Sequence, residues 1–287
     1  FVLTACHCLV TEGWITTISQ NEPPEFQPPY SHDRVKNKPW TPGDPRIRRK
    51  GVVVKSTIHT LITIFAGHPD ARKRAPQRRH ASNFFVHHLC GGKNSSKVLN
   101  DFEEIDIGLL RTCFPFNLDR HVRLAPLKPR NAIDLHLNQL QERAATCLFV
   151  GWGQALEKAA KGVISEESLS RTVTPDILQH MFRYIQCNKD CTYDERTCIV
   201  CSRHHGEKLA ITRHGDSGSP LICDGFVTAV HSRGIGAAGW FSRNYTIARH
   251  TAVACVKDFI SETQLSYLRS VSPKHYHYIN GQPVLTP

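Results

Sequence analysis

Short apolar runs, each ended by glycine, proline or polar residues, most restrict the fold of this 287-residue chain. Short runs rich in β-branched and aromatic side chains are typical of strands. They lie at 1–5, 51–59, 61–67, 84–86, 105–110, 147–150, 220–223 and 226–230. One longer segment, from Thr251 to Tyr267, spaces its apolar residues as on one face of an amphipathic helix. The sequence predicts an all-β fold with a C-terminal α-helix.

Seven prolines between Asn21 and Pro45 mark a different kind of segment. Proline cannot donate a backbone hydrogen bond and favours extended chain, so these residues belong to neither a sheet nor a helix. The sequence predicts a proline-rich surface insertion at about 20–50.

Charge and hydropathy exclude several classes of protein. No apolar run reaches the roughly 18–20 residues that a membrane-spanning helix needs, so no membrane partner is predicted. The net charge is +11, and the basic residues concentrate at 46–50 and 72–79 without interleaved aromatic residues. That pattern favours solvated loops over a nucleic-acid groove. Contact with acidic glycans is the weaker alternative.

Eleven cysteines favour an oxidising compartment, where disulfides persist. Glycosylation sequons at Asn94 and Asn244 agree with secretion but occur often by chance. The chain opens on Phe1, inside an apparent strand, from which we expect an N-terminally truncated fragment.

Ser217 lies in the segment Gly-Asp-Ser-Gly-Ser-Pro-Leu, at 215–221. Small residues on both sides allow a tight turn in which backbone amides converge on one point, as an oxyanion hole requires. Gly215 and Ser217 would supply those amides. A serine hydroxyl is a weak nucleophile alone and needs a base, which in turn needs an orienting carboxylate.

Three further segments complete a resemblance to the chymotrypsin-like (trypsin-family) serine proteases. The segment at 2–8, Val-Leu-Thr-Ala-Cys-His-Cys, resembles the histidine motif of that family. Asp-Ile-Gly-Leu-Leu, at 106–110, resembles its aspartate motif, and Cys147 with the Gly-Trp-Gly at 151–153 matches the start of its second barrel. The serine motif completes the family's order of histidine, aspartate and serine. In isolation His7 between two cysteines could be a metal ligand, and a Gly-Asp-Ser-Gly turn could be inert.

The resemblance implies two antiparallel six-stranded β-barrels, the first incomplete, and a serine endopeptidase mechanism through an acyl-enzyme. The expected domains are 1–140, 141–250 and a helix with an extended tail at 251–287. His7, Asp106 and Ser217 would form the catalytic triad. Protein or peptide substrates and protein inhibitors are the implied partners, without nucleic acid, metal or cofactor.

Several departures from the family pattern affect the substrate-binding pocket. Four residues are expected there: Ile211, Ser232, Arg233 and Gly234. Ile211 stands where trypsin-like members carry an aspartate, so cleavage after basic residues is not implied. Arg213 replaces a pocket cysteine, Arg233 replaces a tryptophan, and Arg243 is the candidate replacement for a glycine that lines the pocket. The pocket is therefore either narrowed or cationic, and a cationic pocket would favour acidic side chains.

The resemblance also implies two disulfides, Cys147–Cys223 and Cys187–Cys201, and pairs Cys8 with a cysteine upstream of this sequence. It assigns no partner to the other cysteines, which are Cys6, Cys90, Cys113, Cys191, Cys198 and Cys255. The cluster from Cys187 to His205 contains one C-x-x-C step and could instead bind zinc, the minority interpretation.

A catalytically inactive homologue that binds partners or regulates a proteolytic cascade is the alternative function. The intact triad favours an enzyme, whereas the altered pocket favours the homologue. In the family, a new α-amino group released by activation pairs with the aspartate before the nucleophile, here Asp216. We expect the oxyanion hole to depend on a counter-charge for that carboxylate.

Overall fold

The structure is a computed structural model of the chain. It describes residues 1–9, 52–54, 62–70, 73, 75–87, 105–129, 131–156, 172–173, 175–185, 198–204, 212–234, 247–271, 276–279 and 282–285. The predicted proline-rich insertion at about 20–50 lies outside these residues.

The first half of the chain forms a five-stranded sheet in which every pairing is antiparallel. Its strands are β1 (Val2–Thr4), β2 (Val52–Val54), β3 (Thr63–Ala66), β4 (Gln77–Val86) and β5 (Gly108–Thr112). The strand order is β1-β5-β4-β2, and β3 pairs with the other part of β4. The long strand β4 therefore holds the sheet together.

The second half forms a closed antiparallel barrel of six strands in the order β10-β13-β12-β11-β6-β9. Its strands are β6 (Thr146–Gly151), β9 (Gln179–Ile185), β10 (Ile199–His204), β11 (Pro220–Cys223), β12 (Phe226–Gly234) and β13 (Ile247–Ala252). Two ribbons lie outside the barrel: β7 (Ala155–Leu156) with β8 (Thr172–Val173), and β14 (Tyr276–Ile279) with β15 (Gln282–Leu285).

The predicted all-β fold and the C-terminal helix are confirmed. Helix α2 runs from Val253 to Val271, close to the predicted segment, and buries apolar residues such as Val256 and Phe259 against the barrel. A second helix, α1 (Ile133–Glu142), was not predicted. Its buried residues Ile133, Leu137 and Leu140 have helical spacing. Polar residues stand between them in the sequence, so no continuous apolar run indicates the helix.

Strand β4 also extends beyond the predicted apolar run 84–86, because its first half is polar. Gln77 and Arg79 make hydrogen bonds with the loop that follows β5: Gln77 Nε2 donates to Asn117 O at 2.7 Å, and Arg79 Nε donates to Pro115 O at 2.9 Å. Contacts with this loop, rather than burial of apolar side chains, thus stabilise this part of the strand. The expected extended tail contains the β14–β15 ribbon instead.

Alternation along β4 and β5 divides the apolar residues between two clusters. Phe84 and Leu110 pack in a small cluster with Cys6, whereas Phe85 and Leu109 join the large cluster that continues into the barrel and α2. Successive side chains of a strand point to opposite faces, so one strand serves both clusters. None of the helices in the described ranges is long and apolar enough to cross a membrane.

Candidate active site

The pairing of β1 with β5 brings His7 beside Asp106. The register joins Val2 to Leu110 and Thr4 to Gly108, so the residues after β1 approach those before β5. A 3₁₀ turn at Cys6–Cys8 then presents His7. The approach is close: a Cβ on Gly108 would lie 2.7 Å from Leu9 Cδ1, so alanine there would require the Leu9 side chain to shift.

The Asp106 carboxylate is held by three hydrogen bonds. His7 Nδ1 lies 2.6 Å from Oδ2, and the His7 backbone amide donates to Oδ1 at 3.0 Å. The Ser232 hydroxyl donates to Oδ2 at 2.6 Å. The two hydrogen bonds from His7 fix the position of the residue and the plane of its ring. The second ring nitrogen, Nε2, takes part in neither bond.

These contacts shift the ionisation of both groups. The hydrogen bond to Asp106, with a smaller contribution from the Cys8 thiol, raises the pKa of His7 to about 10. Burial would raise the pKa of Asp106, but the His7 and Ser232 hydrogen bonds and the His7 charge together lower it. Asp106 is therefore ionised at neutral pH, and it stabilises a positive charge on His7.

Ser217 lies in the loop that enters β11, close to this network. Its hydroxyl donates to the Ser232 carbonyl oxygen at 3.4 Å, and the side chain of the same Ser232 binds Asp106. Ser232 thus links the loop of Ser217 to the carboxylate beside His7. Among the described residues no hydrogen bond joins Ser217 to His7, and catalytic hydrogen bonds are often long before substrate binds.

The amides expected to form the oxyanion hole are those of Gly215 and Ser217. The neighbouring amides are engaged: Asp216 N donates to Arg213 O, Gly218 N to His231 O and Ser219 N to Asp216 O. Within the described part of the chain, the amides of Gly215 and Ser217 make no hydrogen bond. Two free donors flanking one carboxylate residue are what an oxyanion site requires.

Gly218 allows the two halves of the site to approach. With φ of 85°, a Cβ on Gly218 would lie 2.3 Å from Thr4 Oγ1 and 3.2 Å from the Ala5 amide nitrogen. Thr4 ends β1, just before the turn that carries His7. The glycine therefore lets the serine loop and the histidine turn pack without an intervening side chain.

We expect Gly218→Ala to destabilise the protein much more than the matched variant Gly225→Ala. Both glycines have positive φ, 85° and 81°, so alanine meets similar backbone strain of about 1–2 kcal/mol at each. A Cβ on Gly225 has nothing within 4 Å. The clash at Gly218 adds roughly 1–3 kcal/mol. Denaturant unfolding measures both variants, and equal losses of free energy would contradict the close contact.

Asp216 is buried against the Gly-Trp-Gly segment. Its carboxylate accepts hydrogen bonds from the amides of Gly153 at 3.0 Å and Arg213 at 2.9 Å. A Cβ on Gly151 would lie 2.3 Å from Asp216 Oδ1, and one on Gly153 would lie 2.2 Å from its Cγ. The glycines of this motif are thus needed to admit the carboxylate. Burial raises the pKa of Asp216, and the two amides and the charge of Arg183 oppose that rise.

The residues expected in the substrate pocket are partly described. Ile211 lies outside the described residues. Ser232 contacts Asp106, as above, and Arg233 and Gly234 end β12. A Cβ on Gly234 would lie 3.4 Å from Thr212 Oγ1 and 3.5 Å from Thr212 O, so these two segments lie almost in contact. Arg213 Nε is buried and has no hydrogen-bond partner among the described residues.

One disulfide joins two strands of the barrel, β6 and β11, and another joins the residue before β10 to helix α2. Cys147 is bonded to Cys223, the pair that the resemblance implied, and Cys198 is bonded to Cys255, a pair left unassigned by the sequence. Cys6 and Cys201 are also disulfide-bonded; Cys187, the expected partner of Cys201, lies outside the described residues.

Cys8 and Cys113 are exposed free cysteines. Cys198 and Cys201 cannot serve as ligands in the alternative zinc site, since a disulfide sulfur is not a thiolate. In the described ranges no three histidine, cysteine or acidic side chains come together as a metal site.

The sequence analysis missed a polar cluster inside the barrel. Arg183 is 0 % exposed, and its guanidinium donates to the Ser202 hydroxyl at 2.7 Å and to the Ser202 carbonyl at 2.9 Å. His250 Nε2 lies 2.7 Å from the same hydroxyl, and its ring centroid is 5.1 Å from that of His231. The available signal was a charged residue within the run Met-Phe-Arg-Tyr-Ile, at 181–185.

Two solved structures and one family model are similar to this chain. A mutant of human heparin binding protein is 21% identical to the chain over 75% of it and 82% of the mutant, with a TM-score of 0.48. Neuropsin, a serine protease of mouse brain, is 21% identical to the chain over 66% of this chain and 72% of the neuropsin chain, with a TM-score of 0.46. The trypsin family model matches residues 52–260, a range that holds Asp106 and Ser217. The chain therefore belongs to the trypsin family.

Proposed function

We propose that this protein is a serine endopeptidase in which Ser217 attacks the peptide carbonyl, His7 transfers the proton and Asp106 orients His7. The observation that carries the proposal is the pair of hydrogen bonds that Asp106 receives from the ring and the amide of His7, at 2.6 and 3.0 Å. An aspartate so placed holds the proton on Nδ1, which leaves Nε2 of neutral His7 free to accept a proton.

The proposed mechanism assigns each step of the reaction to a group of this site. The Ser217 hydroxyl gives its proton to His7 Nε2 while its oxygen bonds to the substrate carbonyl carbon. The amides of Gly215 and Ser217 receive the negative charge that forms on the carbonyl oxygen. His7 then protonates the leaving amine as the C–N bond breaks. A water molecule hydrolyses the resulting acyl-enzyme by the same sequence of proton transfers.

Substrate choice follows from the closeness of Gly234 and Thr212. The trypsin-family resemblance implies that both segments line the pocket, and a Cβ on Gly234 would already be in van der Waals contact with Thr212. The gap between them is therefore about one methyl group wide, too narrow for a long side chain. We therefore expect cleavage after small residues such as alanine or glycine, in preference to the acidic residues that a cationic pocket would favour.

Peptide libraries that vary the residue on the amino side of the cleaved bond measure this preference. We expect alanine to be preferred over phenylalanine, lysine or glutamate by roughly 10²-fold in kcat/KM. Thr212→Gly removes the side chain facing Gly234 and should raise the relative rate for larger residues. Preferred cleavage after glutamate would instead support the cationic pocket.

Labelling with a fluorophosphonate probe tests the catalytic proposal. The probe phosphonylates an activated serine and mimics the tetrahedral intermediate, so it reports on the nucleophile and on the oxyanion site together. We expect one probe per chain, found on Ser217 by mass spectrometry. The matched variant Ser219→Ala, two residues away, should still be labelled.

Absence of labelling in the folded protein would instead favour the catalytically inactive homologue, for which the narrow gap between Gly234 and Thr212 is the supporting observation. Secretion belongs to the same proposal. Its support is the pair of disulfides Cys147–Cys223 and Cys198–Cys255, since disulfides persist outside the reducing cytosol.

A further inference from the structure

One face of the hairpin formed by β3 and β4 carries positive charge beside an exposed aromatic ring. Phe65 pairs with Arg78 across the two strands, and Thr63 pairs with His80. Paired residues of neighbouring strands point to the same side of a sheet, so these four side chains share one face. The Arg78 guanidinium carbon lies 5.8 Å from the centroid of the Phe65 ring. Three of these residues and one residue of the connecting loop form what we call the basic face: Phe65, Lys73, Arg78 and His80.

The basic face is open to solvent. Phe65 is a large apolar residue, yet it is 61% exposed. The other three side chains of the face are exposed as well. Arg79 differs from Arg78, because its guanidinium lies over the Phe116 ring, 5.3 Å from the centroid, and donates to Pro115 O. An exposed ring beside an exposed guanidinium can contact an apolar group and an acidic group of one partner at the same time.

No described carboxylate neutralises this face. Neither Lys73 nor Arg78 forms an ion pair with an acidic residue in the described ranges. In the sequence, five lysine and arginine residues lie at 72–79, and no acidic residue occurs from 71 to 100. Asp70, which precedes them, is only 8% exposed. The potential over the face is therefore positive, and it attracts a partner that carries several negative charges.

The loop of this hairpin lies against the Gly-Trp-Gly segment of the candidate active site. Pro69 O accepts hydrogen bonds from Trp152 Nε1 at 3.3 Å and from the Leu178 amide at 2.7 Å. The same segment adjoins the loop of the proposed oxyanion site, since a Cβ on Gly215 would lie 3.2 Å from Gly153 Cα. Trp152 therefore connects the surroundings of the oxyanion site to the hairpin.

This position indicates which part of a substrate can reach the basic face. In the proposed function, the residue before the cleaved bond enters between Gly234 and Thr212, at the start of the loop that leads to Ser217. The Gly-Trp-Gly segment adjoins the middle of that loop, so the residues after the cleaved bond are the ones that leave over Trp152. From Pro69 to Phe65, four residues of chain span at most about 14 Å.

We propose that the basic face binds an acidic segment of a protein substrate, about four to eight residues after the cleaved bond when the substrate is extended. Carboxylates of this segment pair with Lys73 and Arg78 through charge-assisted hydrogen bonds, and an apolar residue of the segment packs on Phe65. Phe65 favours a peptide over a sulfated polysaccharide, because an apolar side chain covers more of the ring than a charged sugar does. The effect on cleavage, although not the binding itself, rests on the proposed function.

Fluorescence anisotropy with a labelled peptide tests the binding without any assay of catalysis. The probe contains glutamates around one central phenylalanine, and the control peptide has glutamine in place of every glutamate. We expect the acidic peptide to bind at least about tenfold more tightly, with most of this difference lost at high salt. Arg78→Glu should weaken its binding by about tenfold or more. Equal binding of the two peptides, or unchanged binding by Arg78→Glu, would overturn the proposal.

Lys128→Glu is the matched control, because it makes the same change of charge beside the closed barrel, where Lys128 Nζ lies 4.1 Å from the centroid of the Phe226 ring. Its affinity for the acidic peptide should stay close to that of wild type. An equal loss in Lys128→Glu would mean that net charge governs binding, and the basic face would not be the site. Arg78 is exposed, so Arg78→Glu should fold; Arg78→Gln serves in the same comparison if it does not.

Phe65→Ala separates a peptide ligand from a polysaccharide. It should weaken binding of the phenylalanine-containing probe but not of a peptide made of glutamate alone. Heparin provides the comparison, because it carries charge without apolar side chains. If Phe65→Ala has no effect and heparin displaces the probe completely, the ligand is a polysaccharide and the assignment to a substrate peptide is wrong.

Peptide hydrolysis then measures the consequence for the reaction. Three peptides share alanine before the cleaved bond: one has no extension, one has the acidic segment after the bond, and one has it before the bond. We expect the segment after the bond to raise kcat/KM by about tenfold, through KM, and the segment before it to have little effect. This ratio should fall towards one in Arg78→Glu and persist in Lys128→Glu.

An equal gain from the acidic segment before the bond would overturn the assignment of the basic face to the residues after it. If wild type cleaves none of the three peptides, the proposed function fails, while the anisotropy measurement still decides whether the basic face binds acidic peptides.

Discussion

Replacement of Ser217 by alanine is expected to lower kcat by roughly 10⁶-fold, down to the rate that binding alone supports. In the proposed mechanism the serine oxygen forms the bond to the substrate carbonyl, and alanine has no hydroxyl to replace it. The amide of residue 217 remains in the variant, so the oxyanion site persists. KM should therefore change much less than kcat. Steady-state hydrolysis of a peptide with alanine before the cleaved bond measures both constants.

Two results would contradict this expectation. Substantial hydrolysis by Ser217→Ala would mean that another residue is the nucleophile or that a contaminant is being measured. Loss of hydrolysis in the neighbouring variant Ser219→Ala would mean that the loop tolerates no change, and the effect at 217 would then be structural. Unfolding curves of both variants separate these cases, since Ser217 is only partly buried and its removal should leave stability nearly unchanged.

Asp106→Asn is expected to lower kcat by about 10⁴-fold with little change in the fold. Asparagine matches aspartate in shape but can direct its NH₂ group at His7 Nδ1. The ring would then carry its proton on Nε2 and could not accept one from Ser217. The variant also loses the charge that raises the pKa of His7 to about 10, so this pKa should fall. The pH dependence of kcat/KM and an NMR titration of His7 measure the two effects.

The sign of the pH effect follows from which form of His7 is the base. Only neutral His7 accepts a proton, so wild-type activity should rise with pH as His7 deprotonates, well above the ordinary histidine range. In Asp106→Asn the residual activity should reach its plateau at lower pH. Ser232→Ala is the matched control, because it removes one hydrogen bond to Asp106 Oδ2 but keeps the charge. An equal loss of activity in that variant would mean that hydrogen bonding, rather than charge and tautomer, governs His7.

Motif order predicted the fold and the candidate triad, because these depend on local chemistry. The Gly-Asp-Ser-Gly turn and the strands flanking Asp106 and Cys147 each have residue types suited to one backbone conformation. The roles of His7, Asp106 and Ser217 remain predictions. The structure adds the contacts on which they depend, such as the pairing of Thr4 with Gly108 that brings His7 to Asp106.

Local sequence was less informative where polar residues lie inside regular structure. The first half of β4 contains Gln77 and Arg79, and its stabilising contacts are with residues about forty positions later. In the sequence of helix α1, polar residues stand between the apolar residues that form its buried face. Strand β13 is buried in the barrel although it contains Arg249 and His250. In each case the contacts that favour the element come from residues distant in sequence.

The sequence alone determined the family, the all-β class and the C-terminal helix, and it predicted the candidate residues for acyl transfer, since each rests on a short segment or on motif order. Only the tertiary structure decided that Gly234 lies against Thr212 and that Cys198 pairs with Cys255. It also placed the buried Arg183 guanidinium against Ser202 inside the barrel. Separations of a few ångströms between residues far apart in the chain depend on the closure of the barrel, which no single segment specifies.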